Sequence, residues 1–111
     1  MNALLLAKAH ANPYYINRLY VKLAGNAVSG LLLDYLMKQF SLADSSKNNI
    51  ITLLDAEICD NTFLFEEELA QARKKLKKLP FITIVSRSEA GKYTYSLDPA
   101  LFNQYVEELK R

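Results

Sequence analysis

The side chains able to do chemistry in this chain are charged, and they are unevenly spread. Residues 69–92 hold seven Lys/Arg and one Glu, whereas residues 55–68 hold six acids and no base. Cationic groups at that density attract phosphates, and each phosphate they neutralise releases counterions. Arg73, Lys74, Lys77 and Lys78 lie close together, and Arg87 and Lys92 flank the tetrapeptide Ser88-Glu89-Ala90-Gly91. His10 is the single histidine and Cys59 the single cysteine. That leaves no raw material for a histidine-based triad, a cysteine-based zinc site or an internal disulfide. No Gly-rich phosphate loop occurs. The expectation is a protein that is not an enzyme and carries no metal or cofactor.

The same charges have a plainer reading. An acidic start and a basic end complement the dipole of any helix, and charge runs are commonly solvated. Cys59 falls on the apolar side of a short helix, which predicts a buried, unreactive thiol. Phe63-Leu64-Phe65 is expected to pack into the core, with an exposed contact surface as the alternative. Glu107 and Glu108 are expected to face solvent.

These side chains must be positioned by a small fold. The chain has 111 residues, half of them hydrophobic, with three glycines and a net charge of +2. One domain with a real core is the natural reading. The opening run is too short for a signal peptide, and no apolar stretch approaches the roughly 20 residues needed to cross a bilayer. A soluble, cytoplasmic protein is expected.

Residues 2–11 are either a helix or an arm. Asn12-Pro13 begins a helix carrying Ile16, Leu19, Tyr20 and Leu23, and Gly25 ends it. A second helix spans about residues 27–40, with a wide apolar face of Val28, Leu31, Leu32, Tyr35, Leu36 and Phe40. Residues 41–49 are a polar loop and Ile50-Ile51 a short strand. Thr52-Leu-Leu-Asp55 fits a capping box opening a helix over about residues 53–59, and Asp60-Asn61-Thr62 turns the chain. The next helix runs over about residues 66–79 until Pro80. FITIVS (81–86) and KYTYSL (92–97) read as a hairpin, in which Tyr93 and Tyr95 share one strand face as packing residues. Asp98-Pro99 opens a terminal amphipathic helix with Leu101, Phe102, Tyr105, Val106 and Leu109.

This order of helix, strand, helix, turn, helix and hairpin resembles a winged helix-turn-helix domain, an α+β fold. Ile58 and Leu69 sit eleven residues apart, the spacing at which the two helices of such a motif share one core. The run Leu69-Ala72-Leu76-Leu79-Phe81-Ile82 looks like a recognition helix passing into the first wing strand, with Pro80 where glycine is common. The segment Leu23-Ala-Gly-Asn-Ala-Val-Ser-Gly-Leu-Leu-Leu-Asp-Tyr-Leu36 is similar to the first core helix of winged-helix domains in phage and plasmid replication proteins. The resemblance covers about residues 27–98, with flanking helices at about 13–24 and 99–110.

The resemblance implies double-stranded DNA binding, in transcription regulation or in DNA replication of a mobile element. Arg73, Lys74, Lys77, Lys78, Arg87 and Lys92 would then hold phosphates, and Ser86 and Ser88 would donate to them. Glu66, Glu67 and Glu68 stand at the base-reading front, where glutamate can accept from cytosine but repels phosphate. The alternative is a winged-helix protein-interaction module using Phe63, Phe65 and the acidic helix start. Members of such families dimerise through outer helices. Tyr105, Val106 and Leu109 are therefore candidate homodimer contacts, with Tyr14, Tyr15 and Leu19 as a second set.

Overall fold

A computed structural model of the chain describes residues 18–43 and 49–110. The expectations placed on residues 2–11, on His10, Asn12 and Pro13, on Tyr14 and Tyr15 and on most of the 41–49 loop lie outside them. Within the described residues, five helices and one three-stranded antiparallel sheet give an α+β architecture. No described helix is long and apolar enough to cross a membrane.

Helix α1 (Arg18–Ala24) ends at Gly25, whose φ of +100° is a conformation that a side chain disfavours. Helix α2 (Ala27–Leu42) is the central element. Asn26 caps it, its Oδ1 accepting from the Ser29 N–H at 2.8 Å. Leu32, Leu33 and Leu36 are fully buried along it. Gly30 lets α1 approach closely, because a Cβ there would meet the Val21 Cα at 2.7 Å.

Strand β1 (Ile50–Leu54) is longer than its two β-branched residues suggest. Thr52 lies inside it and does not cap a helix. Its Oγ1 meets Thr94 Oγ1 across the sheet at 2.9 Å, a cross-strand pair that replaces the expected capping box. Helix α3 (Asp55–Thr62) follows directly, with Leu54 at the N-cap position. It extends through Asp60, Asn61 and Thr62, which were expected to turn. The Asn61 side-chain N–H donates to the Glu57 carbonyl and to the Tyr35 hydroxyl, and Thr62 Oγ1 donates to the Ile58 carbonyl. These bonds hold the last turn, so the reversal moves to residues 63–65.

Helix α4 (Glu66–Leu76) starts with the Glu68 carboxylate accepting from the Phe65 N–H at 3.0 Å. It stops three residues short of the expected Leu79. Lys78 and Leu79 donate to Lys75 and Leu76, a tighter i to i−3 pattern that replaces the α-helical one before Pro80. Strands β2 (Ile82–Ser86) and β3 (Lys92–Leu97) pair as the expected hairpin, from Ile82 opposite Leu97 to Ser86 opposite Tyr93. β1 pairs with the other edge of β3, so the order is β1-β3-β2.

Helix α5 (Pro99–Leu109) has the expected cap, with Asp98 Oδ1 accepting from the Leu101 N–H. The core lies between α2, α3, α4 and the sheet. Ile58 and Leu69 both belong to it, with Leu76, Phe81, Ile82 and Tyr95.

Candidate nucleic-acid interface

Helix α4 sorts its residues by a 100° rotation per position. Leu69, Ala72, Arg73 and Leu76 are buried. Glu66, Glu67, Ala70, Gln71, Lys74 and Lys75 are exposed, and so are Lys77 and Lys78 in the turn that follows. Lys74, Lys75, Lys77, Lys78 and Arg87 make no ion pair with a carboxylate among the described residues. Lys92 differs, because its Nζ lies 3.3 Å from a Glu89 carboxylate oxygen across the hairpin tip.

Arg73 corrects the expectation that it contacts phosphate. It is 6% exposed, and its guanidinium points into the protein. One Nη bonds the Asp55 carboxylate and Nε donates to the Tyr95 hydroxyl at 3.4 Å. The Arg73 guanidinium carbon sits 3.7 Å from the centre of the Tyr93 ring, a cation–π contact. The Asp55 N–H donates to the Gly91 carbonyl at 2.7 Å. Arg73 is thus a clasp that ties α4 to the start of α3 and to strand β3 of the hairpin. Its position on the helix explains this, since residue 73 follows Leu69 by four and falls on the same buried stripe.

Burial and nearby charges shift several titrations. Burial pushes the Tyr95 hydroxyl upward, and the Arg73 hydrogen bond and charge oppose that push. Burial likewise raises the Asp55 carboxyl against the pull of Arg73. Cys59 is half-buried against the core, and burial followed by the charges of Asp55, Glu66 and Asp60 raises its thiol. Tyr20 is raised by burial and then by Asp34.

The turn between α3 and α4 also departs from expectation. Of Phe63, Leu64 and Phe65, only Leu64 is buried, and the two rings are 67% and 76% exposed. Leu64 alone points at the core because the chain reverses there, with Phe63 left-handed at φ 63°. The candidate contacts on α5 divide. Tyr105 packs at a tilt against Phe81 with ring centres 5.6 Å apart, so it serves the fold of its own chain. Phe102 does the same at 5.2 Å, and it also meets Tyr20 of α1. Val106 is half-buried and Leu109 is exposed, which leaves them at the open side of the helix.

Reading the sequence for charge missed Gln71 and Lys75. Both could have been found by laying residues 66–76 on a helical wheel, where Gln71 stands opposite Leu69 and Leu76. Gln71 is notable because an exposed amide can pair bidentately with adenine. No group of His, Cys, Asp and Glu able to hold a metal ion occurs among the described residues. No protein-family model, no curated protein and no solved structure matches this chain.

Proposed function

We propose that this chain is a winged helix-turn-helix domain that binds double-stranded DNA, serving transcription regulation or replication initiation of a mobile element. The observation that carries the reading is the set of exposed cations without carboxylate partners at the end of α4 and beyond it: Lys74, Lys75, Lys77 and Lys78, with Arg87 at the hairpin. A cation with no protein partner is free to replace the counterions of a phosphate. The β1-β3-β2 sheet, the three-residue turn joining α3 and α4, and the shared burial of Ile58 and Leu69 support the fold.

In this reading α4 is the recognition helix and the β2–β3 hairpin is the wing. The lysines hold backbone phosphates, and Gln71 faces base edges. Lys92 contributes less than Arg87, since Glu89 already neutralises part of its charge. The exposed Phe63 and Phe65 favour a second reading, a protein-interaction module that leaves DNA alone.

Fluorescence anisotropy of a labelled random duplex, repeated over a salt series, separates the two. Five phosphate contacts give a slope of log affinity against log salt of about −4 to −5. Absence of binding at low salt would reject the DNA reading.

A further inference from the structure

We propose that the turn between α3 and α4 is a docking surface for a protein segment that carries apolar and basic side chains together. Phe63 and Phe65 project from this turn on either side of the buried Leu64. Their exposure gives folding almost nothing. Phe63 also adopts φ 63° and ψ 18° at the end of α3, a left-handed conformation in which glycine or asparagine is usual. A bulky aromatic held there is strained. A glycine at residue 63 and a polar side chain at residue 65 would serve the fold better than the two rings do.

The charges around the rings say what covers them. Asp60 precedes Phe63 by three residues, and Glu66 and Glu67 directly follow Phe65. All three are exposed, and none is paired with a lysine or arginine among the described residues. Aromatic rings beside unpaired carboxylates complement a segment whose apolar residues alternate with Lys or Arg. Like charge disfavours an anionic lipid surface here. The surface is separate from the cationic one. Glu66 and Lys74 lie eight residues apart on α4, about 12 Å along its axis. The proposal can therefore be tested without DNA.

The test titrates the isotope-labelled full chain with a synthetic amphipathic helix of Leu and Lys, and separately with its Leu and Glu counterpart. Saturable NMR shifts at Phe63, Phe65, Glu66 and Glu67 are expected with the Lys peptide alone. Phe63→Gly is expected to weaken binding at least about tenfold, as loss of a central aromatic anchor does. The same variant should raise the melting temperature by about 4 °C, because it relieves the left-handed strain. Glu66→Lys with Glu67→Lys should also weaken peptide binding.

An equal response to the acidic peptide, shifts elsewhere on the chain, or unchanged affinity in Phe63→Gly would overturn the proposal. A lower melting temperature in Phe63→Gly would make the ring structural and overturn it too. Self-association without peptide that shifts these same residues would assign the surface to a second copy and reject the basic segment. None of these readouts uses DNA, so a failure to bind duplex leaves them intact.

Discussion

Removing the Asp55 carboxylate leaves the Arg73 guanidinium buried with only the Tyr95 hydroxyl and the Tyr93 ring beside it. Breaking one half of a buried pair costs about 3–5 kcal/mol, and the part-exposure of Asp55 lowers that to about 2 kcal/mol for Asp55→Ala. The pair itself is not a large source of stability, since burial already outweighs the attraction at Asp55. The double variant Asp55→Leu with Arg73→Met should accordingly recover most of the loss in urea denaturation. Lys74→Ala next door should change stability by less than about 0.5 kcal/mol, as exposed sites do. Cys59 gives a second residue-scale prediction. Its thiol is raised by burial and by nearby acids, so alkylation by iodoacetamide should be slow at neutral pH. The rate should climb only above the ordinary thiol range. The sign for stability follows: a raised pKa favours the protonated fold, so its contribution is complete below the ordinary thiol value. That contribution is lost as pH rises through the shifted one. Arg73 and Lys74 also mark the limit of legibility at this scale. Composition shows that both are basic, but only the burial stripe of α4 tells a clasp from a free cation.

Elements were legible where a strong local signal stood alone. The hairpin, the Asp98-Pro99 start of α5 and the Gly25 stop of α1 all follow from turn and cap chemistry. The end of α3 was not, because Asn61 and Thr62 are turn formers that here bond back into the helix. Thr52 misled for a similar reason. A threonine three residues before an acid can cap a helix or line a strand, and the partner that decides it, Thr94, is far away in sequence. The packing of α1 on α2 was invisible because it depends on what lies over Gly30. Alanine there would gain about 0.5–1 kcal/mol of helix propensity. It would also place a Cβ 2.7 Å from the Val21 Cα and 2.9 Å from the Val21 nitrogen, both backbone atoms that cannot turn aside. Overpacking of that kind costs about 1–3 kcal/mol, so the clash wins. Gly30→Ala is expected to lower the urea midpoint without changing the slope.

Across the whole molecule, charge is divided between surfaces and not spread evenly. The net charge of +2 conceals an acidic turn and a basic helix end. Salt dependence is the property that exposes this division. Changing Lys74 and Lys78 together to alanine should flatten the salt slope of duplex binding by about 2, because each removed phosphate contact removes about one released counterion. Arg73→Met should leave the slope unchanged in folded protein. The general α+β order could be read from the chain, since apolar periodicity and breakers mark each element. How the hairpin is anchored to α4 could not, because that contact joins residues 55, 73, 93 and 95 through side chains.

The central position of β3 in the sheet has a kinetic consequence. Among the described residues β3 is the last strand, and it is the only strand with which β1 pairs. Thr52 therefore waits for a partner 42 residues away, while β2 waits only for the next turn. Local hairpins close in microseconds, whereas pairings across long loops are delayed by the entropy of closing them. The hairpin should form first and then recruit β1. Tyr93 and Tyr95 arrive on the same strand, so the clasp on Arg73 and the core site of Tyr95 are completed by that one event. A nascent chain that has not yet emerged through Leu97 has neither a finished sheet nor a seat for its buried arginine.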